Sequence, residues 1–466
     1  MNLLILAVVF PLFGALGLSV TGRHPVRHTL NVALSAVGFG ITLIIWSVGK
    51  VDPLAALFGA LSGFVGLSAA LIDRNAVARE TDQTLVHSGR YDHVLCQLLL
   101  SLSLMGLYAN NTGLLWLALA FETIIMALGI SLPRTKPALH AAWSYLVFNG
   151  TGIGLALFGT LLLSLAAETT TATKFPLMSF TALYSGAVHF NQVWLSLGFV
   201  LVVFGYGIKA VLVQLCDWAA ESYAEGPIGL TCILRGLSTN VILLAILRFR
   251  HIVQTHTSIV LPNDFLLSLA IATIFLSTFA VLRQKDIRRF LGNMSSGQAA
   301  ITLFAFGIGG PVAVFAGLLQ MLLWPLLKSG LFLAFVRAAH GKQSNIGFRD
   351  LPKTNKYALF VFGLGLLAVT GLPPSGLYVS EFMIVGQAVL FNPWVCLPFF
   401  FGFLVCCFLI TRHAGSVLFV SVSVKNLKIN DWGVNASLLY LILFLVFAYI
   451  MPSPLYHTLM QAAEVG

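Results

Sequence analysis

Between Met1 and Arg23 the chain carries no charged side chain, and the same holds from His28 to Gly49 and from His93 to Phe121. Runs of that length decide the solvent. A helix needs about 20 consecutive apolar residues to cross hydrocarbon, and such runs recur along all 466 residues. Hydrophobic residues make up 58% and charged residues 9% of the chain, where ordinary soluble domains are roughly a quarter charged. The fold class read from this is an all-α polytopic membrane protein, with every buried backbone group satisfied within helices. A β-barrel is excluded, because barrel strands alternate apolar and polar residues over about ten positions.

The runs predict fourteen spans, near 2–20, 28–48, 54–72, 92–109, 112–131, 138–165, 192–214, 227–248, 260–281, 292–309, 311–338, 357–391, 393–411 and 434–452. The first lacks a basic leading segment and reads as a retained helix, not a cleaved signal. The longest, 357–391, contains GLPPSG at 371–376 and is expected to break there. The loops 73–91, 166–191 and 339–356 are too short to fold alone, and 166–191 reads as an interfacial helix on the outer surface. The net charge of +10 does not signal nucleic acid, because the charges sit in short loops between spans. With loops numbered alternately, 19 of the 26 basic residues fall on one side, and only Lys50, Lys174, Arg248 and Arg250 fall on the other. The positive-inside rule then places both termini outside the cytoplasm, in a cytoplasmic (inner) membrane.

Five charges lie deep within the predicted spans, away from their ends: Glu122, Lys209, Arg235, Lys328 and Glu381. A charge at the centre of a membrane helix costs about 2.5–3.5 kcal/mol on insertion scales. Each could be one half of a structural ion pair, but acids and bases spread over separate helices fit a relay better. A lysine withdrawn from water holds its proton less firmly, and a nearby carboxylate firms the hold again. Glu122 beside Lys209 would therefore act as a switch on a movable proton, the two titrating as a coupled pair. Gly371, Pro373, Pro374 and Gly376 precede Glu381, and a broken helix there is expected to line a polar cavity. Gly205 and Gly207, close to Lys209, fit either a similar break or close helix packing. Asp217, Glu221 and Glu225 follow Lys209 and read as proton collectors or as a solvated loop face. His140 is the histidine best placed within or near a span. No HExxH, CxxC, Walker or GxGxxG pattern occurs, so no metal, cofactor or catalytic site of the chain's own is expected.

The stretch 197–248, beginning LGFVLVVFGYGIKAVLVQLC, resembles the antiporter-like membrane subunits of complex I and of group 4 membrane-bound hydrogenases, nearest the hydrogenase-4 and formate-hydrogenlyase type. The blocks 281–334, GLPPSGLYVSEF (371–382), FETIIMALGI (121–130) and 138–160 carry the same resemblance. It implies fourteen helices and two inverted five-helix repeats, about 92–248 and 260–411, with broken helices in each. An N-terminal three-helix segment (1–91) and a C-terminal loop and last helix (412–466) would flank them. It maps the family's relay charges onto Glu122 and Lys209 in the first repeat and Lys328 and Glu381 in the second. Asp217, Glu221, Glu225, Arg235 and His140 are secondary candidates. The turn after Lys209 departs from the family pattern, with Cys216 at the histidine position and the usual prolines lost. Ser144 replaces a basic residue, and Gln320 and Trp324 replace histidines, which marks a divergent branch.

The function implied is translocation of protons, or sodium in some relatives, within a multi-subunit respiratory or hydrogenase-like complex. Its partners would be other membrane subunits, the lipid bilayer and a soluble redox, hydrogenase-like module. Two other readings fit the thinned polar axis: a subunit of an inorganic-carbon (CO2/bicarbonate) uptake complex with a carbonic-anhydrase-like partner, and a structural subunit that no longer conducts.

Overall fold

The computed structural model describes residues 2–21, 24–49, 51–77, 83–168, 178–186, 191–212, 218–254, 262–339, 346–348, 351, 355–421 and 432–465. Its helices begin with α1 (Asn2–Val20), α2 (His24–Val48), α3 (Pro53–Val77), α4 (Gln83–Tyr108), α5 (Thr112–Ser131) and α6 (Lys136–Glu168). A short α7 (Phe180–Gly186), α8 (Gln192–Lys209) and α9 (Trp218–Glu225) lead to a π-helical stretch, Ile228–Leu234, and α10 (Arg235–Gln254). Then come α11 (Pro262–Arg283), α12 (Ile287–Ile308), α13 (Pro311–Ala338), α14 (Lys356–Val369) and α15 (Gly376–Phe391). The last are α16 (Pro393–Ser421), α17 (Trp432–Tyr449) and α18 (Ser453–Val465). Among the described residues the non-helical pairings are two isolated bridges, Asn111 with Ser179 and Asp286 with Gly347.

Ten of these helices are long and apolar enough to cross a membrane, or eleven if α17 and α18, bent by 61°, form one span. The fourteen expected spans are not reached on those grounds, for physical reasons. α4 and α12 are long enough, but His93, Gln97, Ser101 and Ser103 on one and Asn293, Ser295, Ser296 and Gln298 on the other dilute their apolar content. α14 and α15 are two shorter apolar helices, separated by the break expected at 371–376. α16 runs ten residues past the expected end at 411, and α18 adds a helix beyond the last expected span, which ended at 452. The span expected over 192–214 stops as a helix at Lys209. Within 166–191 the described segment is the seven-residue α7, tied to the start of α5 by Thr112 N–H to Met178 O (2.8 Å) and Phe180 N–H to Asn110 O (2.8 Å).

The bundle is built inside out relative to a soluble protein. On α5, Phe121, Ile124 and Leu128 are exposed, while Glu122, Thr123 and Met126 face the interior. Expensive polar groups are thereby kept away from lipid. α13 is buried along almost its whole length and packs against α3, α12, α14, α15, α17 and α18. It is the post around which the second half is arranged.

α6 and α8 approach one another through glycines. A Cβ at Gly152 would lie 2.7 Å from Gly205 O, and one at Gly159 would lie 2.7 Å from Gly198 O. Gly205 therefore serves close helix packing, which settles the choice left open by its sequence. This contact holds α8, and with it Lys209 at its last turn, firmly against α6. Gly159→Ala should overpack that contact and destabilise the protein by about 1–3 kcal/mol. Gly154→Ala, on the exposed face of the same helix with nothing within 4 Å of its Cβ, should be nearly neutral. Thermal unfolding in detergent compares the two.

Candidate functional site

α8 ends directly after Lys209 in a turn closed by Leu212 N–H to Gly207 O (2.8 Å). Such a turn requires a left-handed residue, usually glycine. Here Val211 takes φ +63°, a β-branched residue in a conformation it rarely adopts. The turn aims the Lys209 side chain at α5. Nζ donates to Leu119 O (2.7 Å) and Thr123 Oγ1 (2.9 Å) and lies 3.3 Å from Glu122 Oε2. Glu122 Oε1 accepts from Ser103 Oγ of α4 (3.3 Å) and from Ser238 Oγ of α10. Both charged side chains are 1% exposed. Burying two unpaired charges would cost about 5–7 kcal/mol on insertion scales. An attraction of about 4 kcal/mol at this kind of separation, with charge-assisted hydrogen bonds of about 1.5–3 kcal/mol each, offsets that cost.

The second cluster is built on α12, α13 and α15. Glu381 Oε1 accepts from Gln320 Nε2 (3.4 Å). Gln320 also donates to Gln298 Oε1 and accepts from Ser380 Oγ. The other oxygen, Glu381 Oε2, lies against Gly371, where any Cβ would overlap it. Gly371 has φ +62°, so the break needs a glycine both for its backbone and for the carboxylate. The outer side of the break differs from the polar cavity expected there. A groove of about 380 Å³ lies between α14 and α17, lined by Leu367, Leu372, Pro373, Leu441 and Phe444, and it is apolar.

Lys328 and Glu381, assigned to the same half, do not meet in an ion pair. Lys328 Nζ donates to Tyr223 Oη and lies 4.6 Å from the centre of that ring. It sits eight residues from Gln320 on α13, about 12 Å along the axis. α10 connects the clusters: Ser238 reaches Glu122, Gly236 abuts the Lys328 ammonium, and Asn240 Nδ2 donates to Met321 O (3.0 Å). The buried polar side chains therefore form one interior band from Ser103 to Glu381.

The secondary candidates divide. Glu225 pairs with Arg289 at 3.7 Å, and Glu221 is half-buried on α9. His140 is exposed near the start of α6, away from the band. Asp217, Cys216 and the Arg235 side chain lie outside the described residues, although Arg235 opens α10. Sequence reasoning missed Thr123, Tyr223, Ser238, Ser295, Gln298 and Ser380. A usable signal was the i, i+3 spacing of Ser295 and Gln298, which puts two polar groups on one face of a buried helix. Gln320, read as the loss of a histidine, instead holds the Glu381 carboxylate.

A family model described as NADH:quinone oxidoreductase/Mrp antiporter, TM, matches residues 109–406, a span that includes Glu122, Lys209, Lys328 and Glu381. The chain belongs to that family. It is 32% identical over 398 residues to a "Hydrogenase-4 component F homolog" of Methylacidiphilum infernorum, covering 83% of each chain. Its fold is similar to a subunit of the membrane-bound sulfane sulfur reductase, an archaeal respiratory membrane complex, with TM-score 0.84, 21% identity and coverage of 100% of this chain and 98% of that one. It is similar also to a chain of respiratory complex I from Thermus thermophilus, with TM-score 0.78, 18% identity and 99% of each chain covered. The protein is thus a divergent antiporter-like membrane subunit, related to those of complex I and hydrogenase-type complexes.

Removing one member of the buried pair isolates the other. Glu122→Ala should cost about 3–5 kcal/mol, and Glu122→Leu combined with Lys209→Met should recover most of that loss. Unfolding in detergent measures both. A double variant as unstable as the single would contradict the pairing.

Proposed function

We propose that this antiporter-like subunit passes protons across the cytoplasmic membrane through its buried polar band, with Glu122 and Lys209 as the controlling pair. The observation that carries this reading is the 3.3 Å contact between two fully buried, oppositely charged groups on separate helices. One member stands at a helix end, beside a left-handed valine. Strain of that kind, of order 1–3 kcal/mol, is retained where surrounding structure overrides it and clusters at switches. A proton shared between the two groups makes each the regulator of the other. Lys328 and Glu381 continue the route in the second half of the chain, and the serines and glutamines between them supply hydrogen-bonding groups instead of further charges.

The same reading assigns two inverted repeats, about 92–248 and 260–411, each with one broken helix. It places both termini outside the cytoplasm, from the uneven distribution of basic loop residues. The subunit would work beside other membrane subunits, driven by a soluble redox module.

The test uses the purified complex in proteoliposomes, with a potassium diffusion potential and an internal pH dye. Lys209→Ala should lower proton uptake about a hundredfold, the lower range of what a positioned proton-transfer group supplies. Unchanged uptake in a correctly assembled complex would overturn the reading.

A further inference from the structure

Lys328 is a buried ammonium whose partner is a tyrosine. Among the described residues no carboxylate pairs with it. Tyr223 meets it through its hydroxyl, which accepts from Nζ. The hydroxyl is also turned toward α12, where it donates to Ser295 Oγ (3.4 Å). One turn further along α12 is Gln298, which contacts Gln320 beside Glu381. Tyr223 thus lies between the second lysine and the helix that leads to the second acid.

Its position is fixed by more than Lys328. The ring stacks on Phe332 at 6.4 Å with a 23° tilt, and it lies against Gly292, where a Cβ would come within 3.0 Å of it. α9 itself is fastened to the start of α12 by Glu225 with Arg289 and by Arg288 Nη2 to Gly226 O. At its other end, Trp218 meets Tyr145 of α6 edge-on at 5.5 Å. The short helix that follows Lys209 therefore delivers a hydroxyl, already positioned, to Lys328.

We propose that the Tyr223 hydroxyl is a proton-carrying group of the relay, bridging Lys328 to α12. The step balances without redox chemistry. An N–H bond of the Lys328 ammonium breaks as an O–H bond forms at Tyr223, and the original Tyr223 hydroxyl proton moves to Ser295. Ser295, whose hydroxyl donates to Leu291 O at rest (3.1 Å), turns from that carbonyl and releases its own proton to a water, which delivers it to the Glu381 carboxylate. Tyrosine suits the place because a phenol both accepts and donates.

This inference rests on the proton-translocating reading above, and the experiment separates the two. In the same proteoliposome assay, Tyr223→Phe keeps the ring and its stacking on Phe332 and removes only the hydroxyl. Tyr223→His disturbs the packing but restores a group that accepts and donates a proton. The proposal expects Tyr223→Phe to lose about a hundredfold in proton uptake, with His the more active of the two variants. A purely structural role reverses that order, with Phe near wild type and His impaired, and would overturn the proposal while leaving Lys209→Ala defective. If the wild-type complex takes up no protons, the underlying reading fails and this inference falls with it.

Discussion

Keeping an ammonium and a carboxylate in contact, away from water and lipid, constrains the rest of this bundle. At 3.3 Å the Lys209–Glu122 pair needs α8 to stop within reach of α5. It needs α4 and α10 to bring Ser103 and Ser238 to the carboxylate, because a buried charge left with unfilled acceptor positions is costly. It also needs α8 held in place, and the glycine-lined contact with α6 does this. The strained Val211 follows from the same demand: the chain turns sharply where the lysine must point inward.

The two halves meet the cost of an embedded charge differently. In the first, opposite charges neutralise one another. In the second, they are apart, and neutral groups solvate each one: a phenol for Lys328, and the Gln320 amide, itself held by Ser380 and Gln298, for Glu381. Neutral partners bind a charge less tightly than an opposite charge does. α10 and α9 join the halves, the first through Ser238, Gly236 and Asn240 and the second through Tyr223.

Much of this was legible in the chain. The uncharged runs located the long spans, GLPPSG announced the break before Glu381, and the rarity of intramembrane charge singled out Glu122, Lys209, Lys328 and Glu381. What stayed hidden has physical causes. The turn after Lys209 carries neither glycine nor proline at its left-handed position, and Gly205 and Gly207 before it fitted close packing as well as a break. The spans near 92–109 and 292–309 located α4 and α12, but not the polar faces that bring Ser103, Ser295 and Gln298 to the band. Tyr223 looked like part of a surface turn, because only tertiary packing reveals that α9 is buried against α12. The last expected span ended at 452, where the chain bends by 61° and continues as α18.

The account stands on Glu122 and Lys209 acting as one unit, and a double-mutant cycle on proton flux measures this directly. Glu122→Gln, Lys209→Met and the combined variant are compared with wild type in the assembled complex. Groups that work as a unit give grossly non-additive losses. The account predicts that the double variant is about as slow as the slower single one, while losses that multiply would contradict it and make the contact between the two a matter of packing.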